Sequence, residues 1–216
     1  MARLFICLFF VITGCRVEVI PDSVPTTTTT TTTTTMPLRE MPPLSWEKNH
    51  PERKIWSEYV YKMLGTTLWN TFDSADDVKR ICPKYEDLSL EYRKHVIAEF
   101  WSQIALYESS WNPKSASVDV GSQSQKDTWS IGLFQISVVD QKNLGITLGY
   151  SYDDLLIPFH NIDLAFKIME RQIQKTHLYI LPNTNKNRYW AVILDGNKYS
   201  QVSQILSKTN AIPGCK

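Results

Sequence analysis

Residues 89–113 read SLEYRKHVIAEFWSQIALYESSWNP, and this stretch decides the fold. Ser89 is a residue type favoured at a helix N-cap. Behind it, Ile97, Phe100, Trp101 and Ile104 recur at helical spacing and define one apolar face. Glu108 lies eleven residues after Ile97, so at 3.6 residues per turn it returns to nearly the same direction. An inward helix face therefore ends in a carboxylate. Ser109-Ser110 and Asn112-Pro113 stop the helix just afterwards. Apolar neighbours and the negative end of the helix dipole both disfavour the ionised form of Glu108. A glutamate raised to about 6 keeps enough proton at neutral pH to serve as a general acid. Position alone leaves two blander readings open, a glutamate exposed at a frayed helix end or one paired with a lysine.

Other stretches extend the helical reading. Ile55, Tyr59 and Lys62-Met63 predict a helix after Pro51, and Ser74 is expected to cap a short helix ending near Cys82. Ser137-Val138-Val139-Asp140 fits a capping box. Ile162, Ala165, Phe166, Met169 and Ile173 form a second apolar stripe. Tyr189 to Leu194 and Val202 to Leu206 predict two further pieces, broken at Asp195-Gly196-Asn197. Residues 115–130 are polar, with room for a small β-hairpin. The fold class is therefore mainly α.

The string Glu108-Ser109-Ser110-Trp111-Asn112-Pro113-Lys114-Ser115-Ala116-Ser117 resembles the signature of soluble lytic transglycosylases, with a serine nine residues after the glutamate. Gly132-Leu133-Phe134-Gln135-Ile136 matches a second motif of that family, and Asn161-Ile162 a third, so the resemblance spans roughly residues 86–206. It implies a lysozyme-like (goose-type/lytic transglycosylase) helical domain with a groove for peptidoglycan glycan strands. Glu108 would be the acid/base on the β-1,4 bond between N-acetylmuramic acid and N-acetylglucosamine, working without a cofactor. Ser117 would sit near the scissile sugar and Gln135 would hydrogen-bond in the groove. Gly132 would permit close backbone approach, or would simply be a turn glycine.

The chain also departs from the family pattern. An insertion between Ser117 and Gln135 carries Gln123, Gln125, Lys126 and Trp129; Trp129 would stack on a sugar or pin the loop to the core. The family's late Ala-Tyr-Asn-Ala-Gly string is matched by residues 190–196, with Ile193 where tyrosine is expected. Tyr189, one helical turn earlier, is the candidate to supply the phenol. Glycosidases usually pair two carboxylates. Asp119, Asp127 and Asp140 are the nearby candidates, each more simply a loop or capping residue. A single glutamate favours transglycosylation, in which a hydroxyl of the sugar itself attacks and leaves a 1,6-anhydro product. Two alternatives stay open: a lysozyme-type hydrolase, with modified glycan as a candidate substrate, and a non-catalytic wall-binding lipoprotein.

The whole chain bounds these readings. It has 216 residues, 43% of them hydrophobic, and a formal net charge of +1, so no global basic field points to nucleic acid. Arg3 followed by the apolar run Leu4 to Ile12 reads as an export signal, too short to span a bilayer. Ile12-Thr13-Gly14-Cys15 resembles a bacterial lipobox, which makes Cys15 the expected lipid attachment and residues 1–15 the signal; an ordinary signal peptide is the alternative. The expected location is the cell envelope, at the periplasmic face of the outer membrane, or outside the cell if Cys15 is not acylated. Thr26 to Thr35 is unbroken threonine flanked by Pro25 and Pro37, so residues 16–45 are expected to be a disordered tether. Residues 46–216 form the expected folded domain, a monomer. Cys82 and Cys215 remain as a disulfide candidate, with buried free thiols as the alternative. His50, His95, His160 and His177 show no metal-ligand spacing, and no metal is expected.

Overall fold

Burial of the 89–113 stretch organises everything around it. In the computed structural model, which describes residues 41–118 and 125–216, this stretch forms the central helix α4, Leu90–Ser109. The export signal, Cys15, the threonine run, Asp119 and Gln123 lie outside the described residues. Ser89 caps α4 by accepting from the Tyr92 amide at 3.4 Å. Its apolar residues do not form a single stripe. Val96, Ile97, Ala98, Phe100, Trp101, Ile104 and Ala105 are all fully buried, so α4 is enclosed on several faces.

Around it lie α1 (Lys54–Leu64), α2 (Leu68–Asp73), α3 (Val78–Ile81), α5 (Val138–Asn143), α6 (Tyr152–Leu155), α7 (Pro158–Thr176) and α8 (Val202–Thr209). Helices α1 and α8 pack on α4, while α7 packs on α1, α2 and α6. Two local expectations change. Helix α1 turns Trp56, Val60 and Leu64 inward and leaves Ile55 exposed, because the larger indole wins the buried position. Ser74 does not open a helix but ends α2, its hydroxyl donating to the Thr71 carbonyl at 3.1 Å, and Asp77 precedes α3 instead.

Strand structure is slight. Strand β1 (Ala116–Ser117) pairs antiparallel with β2 (Ser130–Ile131), in the segment expected to hold a hairpin. Strand β3 (Leu181–Pro182) pairs parallel with β4 (Leu194–Asp195). The β4 pairing, with β-branched Val192 and Ile193 before it, keeps residues 189–195 from forming the expected helix. They make only a 3₁₀ turn at Ala191–Ile193, and Ile193 is buried in the core.

One aromatic cluster ties these parts together. The Trp101 ring of α4 stacks on Phe166 of α7 with centroids 4.6 Å apart. It also meets Phe134 edge-on at 5.3 Å and Trp190 at 5.8 Å. Such pairs add about 0.5–1.5 kcal/mol each beyond their area burial. The folded part begins ahead of Trp46: Leu44 is buried, and the Ser45 amide donates to Glu99 at 2.9 Å. At the other end a disulfide joins Cys82, just after α3, to Cys215.

Candidate active site

The end of α4 delivers Glu108 to a cleft. Ser110 caps the helix in the left-handed conformation (φ 54°, ψ 36°), and Trp111 follows at φ 59°. These two residues turn the chain sharply, so the helix stops before Asn112-Pro113 is reached. The Trp111 indole then donates to the Ser102 carbonyl at 2.7 Å and locks the turn to α4. Ser109 faces the opposite partner, its hydroxyl donating to the Leu133 carbonyl at 2.8 Å. That bond fastens the helix end to the 132–135 turn and is a role for Ser109 that its place in the motif did not disclose.

The 132–135 turn is a tight reversal. The amide and carbonyl of Ile131 bond with those of Ile136 at 3.1 and 3.0 Å. Gly132 holds φ +73° and Gln135 φ 48°. A Cβ on Gly132 would lie 2.4 Å from the Leu155 carbonyl and 2.5 Å from Asn161 Nδ2. Gly132 therefore serves turn geometry and close packing on α6 and α7, and it does not line the cleft. Asn161, completely buried on α7, holds the turn from behind: Nδ2 donates to the carbonyls of Ile131 (2.9 Å) and Leu155 (3.1 Å), and Oδ1 accepts from the Phe134 amide (2.8 Å). Gly132→Ala combines a clash with a strained positive φ, so it is expected to cost about 3 kcal/mol or more in denaturant unfolding. A loss under about 1 kcal/mol would show that the turn is not packed this way.

Glu108 opens into a cleft of about 320 Å³ with Thr128, Ser130, Gln135, Ser137, Asp140, Tyr189 and Trp190 in its wall. Glu108 is half-buried, and among the described residues its carboxylate accepts no hydrogen bond. Burial raises its pKa to about 7. Desolvation without compensating donors disfavours the anion and keeps a proton available near neutral pH. Gln135 presents its amide side chain in the same wall, Nε2 donating to the Gly132 carbonyl at 2.9 Å.

Among the described residues Asp140 is the second carboxylate of the cleft, and it is committed elsewhere. Its Oδ2 accepts from the Ser137 amide at 3.0 Å and the Ser137 hydroxyl at 2.6 Å, completing the capping box of α5. The Tyr189 hydroxyl donates to the same oxygen. Burial first, and then Asp140, push the Tyr189 phenol well above its ordinary pKa, so it stays protonated. Tyr189 thus lines the cleft with Glu108, but from an extended approach (Trp190 φ −77°, ψ 123°) rather than from the helix expected of it. Trp190 anchors it, its indole donating to the Phe134 carbonyl at 2.9 Å.

The remaining candidates are placed differently. Ser117 is exposed on β1, opposite Ser130, and only its strand partner lines the cleft. Trp129 packs edge-on against Tyr152 with centroids 6.0 Å apart and against the core, and it is not among the described residues that line the cleft. Asp127 is exposed in a 3₁₀ turn. Thr128 and Ser130 are cleft residues that carried no sequence signal, because their position depends on how the insertion folds back. Among the described residues no cluster of His, Cys, Asp and Glu is arranged to hold a metal.

A family model described as "Transglycosylase SLT domain" matches residues 89–192, the span from the α4 cap to the 3₁₀ turn after Trp190. Among solved structures, "Bd0314 DslA wild-type form 2" is 26% identical at a TM-score of 0.68, covering 81% of this chain and 98% of that one. Two glutamate-to-glutamine variants of the same protein match at 26% and 27% identity, again with a TM-score of 0.68. No curated protein sequence matches the chain. With a desolvated glutamate at the end of the central helix and both family motifs bonded to each other through Ser109, residues 89–192 carry an SLT-type transglycosylase domain, the domain of lysozyme-like enzymes that act on peptidoglycan.

Proposed function

We propose that the enzyme is a lytic transglycosylase that cleaves the β-1,4 bond between N-acetylmuramic acid and N-acetylglucosamine with Glu108 as its single acid/base. One observation carries this reading. Of the carboxylates that line the cleft among the described residues, Glu108 accepts no hydrogen bond from any of them and is raised to about 7, while Asp140 is occupied by Ser137 and Tyr189. Protonated Glu108 donates its proton to the glycosidic oxygen as the bond to C1 of the muramic acid breaks. The resulting carboxylate then takes the proton of that sugar's C6 hydroxyl as its oxygen attacks C1. The products are a free N-acetylglucosamine end and a 1,6-anhydro ring, and Glu108 is reprotonated. Asp140 orients the Tyr189 phenol beside this exchange. Mass spectrometry of fragments released from purified sacculi tests the proposal: anhydro-muramyl ends are expected, each one water lighter than a hydrolytic end. Reducing ends alone would overturn it.

Hydrolysis of the same bond has one observation in its favour. The two glutamates substituted in the neighbouring structures are eleven residues apart, and Asp119 stands eleven residues after Glu108 in this chain. A second carboxylate there would supply the base that activates water. The same mass measurement separates the two readings, since water would appear in the product.

The lipobox-like Ile12-Thr13-Gly14-Cys15 supports export and acylation of Cys15, with the threonine-rich segment as a leash between envelope and domain. Cys15→Ser is expected to release the protein from the membrane fraction; retention there would remove the anchor.

A further inference from the structure

A second cavity lies against the cleft, and its charge is out of keeping with the rest of the chain. It measures about 250 Å³, and Tyr189 lines both it and the Glu108 cleft. Four cations surround it: Arg171 and Lys175, one turn apart on α7, and Lys186 and Arg188 on the segment leading to Tyr189. Among the described residues none of the four has an ion-pair partner, and no carboxylate lines the cavity. The one acid close by on α7, Glu170, is paired with Lys167 at 2.8 Å. Four unpaired like charges around one concavity repel one another, on a chain whose net charge is only +1.

A second feature indicates more than a simple anion. Gln172 is 3% exposed and lines the same cavity. Its Nε2 donates to the carbonyls of Leu178 (3.2 Å) and Tyr179 (2.8 Å), which fixes the amide orientation. Its Oε1 is buried with no partner. A buried acceptor without a donor is costly and awaits an N–H group. Carboxylates together with amide N–H groups are what an acidic peptide offers.

We propose that this cavity binds the carboxylate-bearing peptide branch of the peptidoglycan strand whose glycan occupies the neighbouring cleft. The inference rests on the transglycosylase reading for the glycan and adds to it a preference for strands that still carry peptides. Tyr189 is the shared wall, so a sugar held beside Glu108 projects its substituent toward Arg188 and Arg171. The bond is electrostatic and screened by salt, which places its effect in KM more than in kcat.

Two measurements test this together. The first needs no turnover: binding of a fluorescent free stem peptide to the intact protein, followed by anisotropy. Saturable binding is expected, weakened about tenfold in the Arg171→Gln/Lys175→Gln/Arg188→Gln variant. The second compares kcat/KM on peptide-bearing strands and on strands stripped by an amidase. The wild type is expected to prefer the former about tenfold, through KM, and the triple variant to lose that ratio. Should the variant fold poorly, wild type on strands with amidated peptide carboxylates serves instead, and the same loss is expected. Peptide binding without cleavage of either strand would support the cavity and overturn the catalytic reading. No peptide binding and equal rates on the two strands would overturn the cavity proposal alone. Sedimentation with phosphatidylglycerol vesicles in place of peptide binding would also overturn it, and would make the patch a membrane contact.

Discussion

Glu108→Gln is expected to lower sacculus clearing by about 10²–10⁴-fold while making the folded protein more stable at neutral pH. Glutamine keeps the shape and the polarity of the side chain but carries no proton that it can donate and recover. Activity above a tenth of wild type would remove Glu108 from the role of acid. The gain in stability follows from the same burial. Glu108 has a folded pKa of about 7 against an ordinary value of 4.5. Between those limits the folded protein retains a proton that the unfolded chain has lost, so stability falls as pH rises through that window. Above it the ionised glutamate costs at most about 3 kcal/mol, less whatever its partial exposure returns. Below pH 4.5 wild type and variant should unfold alike, and above pH 7 the variant should unfold at higher temperature. Thermal unfolding across that range checks the sign: a variant that is less stable above pH 7 would mean that the carboxylate is favourably held. The rate should follow the same proton, with wild-type kcat/KM falling about tenfold per pH unit above about 7.

Breaking the Cys82–Cys215 bond is expected to cost about 2–5 kcal/mol of folding stability. The bond closes 133 residues of chain, and the loop-entropy estimate for so long a loop is about 5 kcal/mol. Both sulfur-bearing residues are fully buried. The Lys84 amide donates to the Cys215 carbonyl at 3.3 Å beside the bridge. The bond thus holds the tail after α8, the helix that packs along α4. Urea unfolding of the Cys82→Ala/Cys215→Ala protein, or of wild type with reductant, measures the loss, with a fall in Tm of about 5–15 °C expected. A change of less than about 1 kcal/mol would show that helix packing alone retains the tail.

The two effects have different origins. Glu108 is destabilising where it is useful, because an uncompensated carboxylate is what keeps a proton near neutrality. The disulfide lies at the far end of α4 from this residue in sequence terms, at the side where α3 and α8 close the bundle. Stability supplied there offsets the desolvation cost of Glu108 at the cleft.

Features governed by short-range rules were legible before any coordinates. The Ser89 cap, the run of α4, the capping box at Ser137 and the stripe of α7 each depend on residues within a few positions of one another. So does the arrival of Glu108 at the inward end of α4, since eleven residues make three turns whatever packs around them. The order of the two family motifs likewise needed only the chain.

What the tertiary structure alone decided concerns groups that meet across long stretches of sequence. Asp140 reads as a cap, and it becomes the anchor of the Tyr189 phenol only because two residues 49 apart converge at the cleft. Trp129 reads as a loop pin or a sugar platform until Tyr152 is seen against it. Gly132 reads either as a glycine for close backbone approach or as a turn glycine until Leu155 and Asn161 are found where its side chain would be. The four cations of the basic cavity all fall within residues 171–188, but only folding sets the loop after β3 against α7 so that they surround one concavity. Periodicity and capping are properties of the backbone over one or two turns, and they can be read locally. Desolvation, hydrogen-bond commitment and charge density depend on which neighbours folding brings within a few ångströms, and the chain order does not state them.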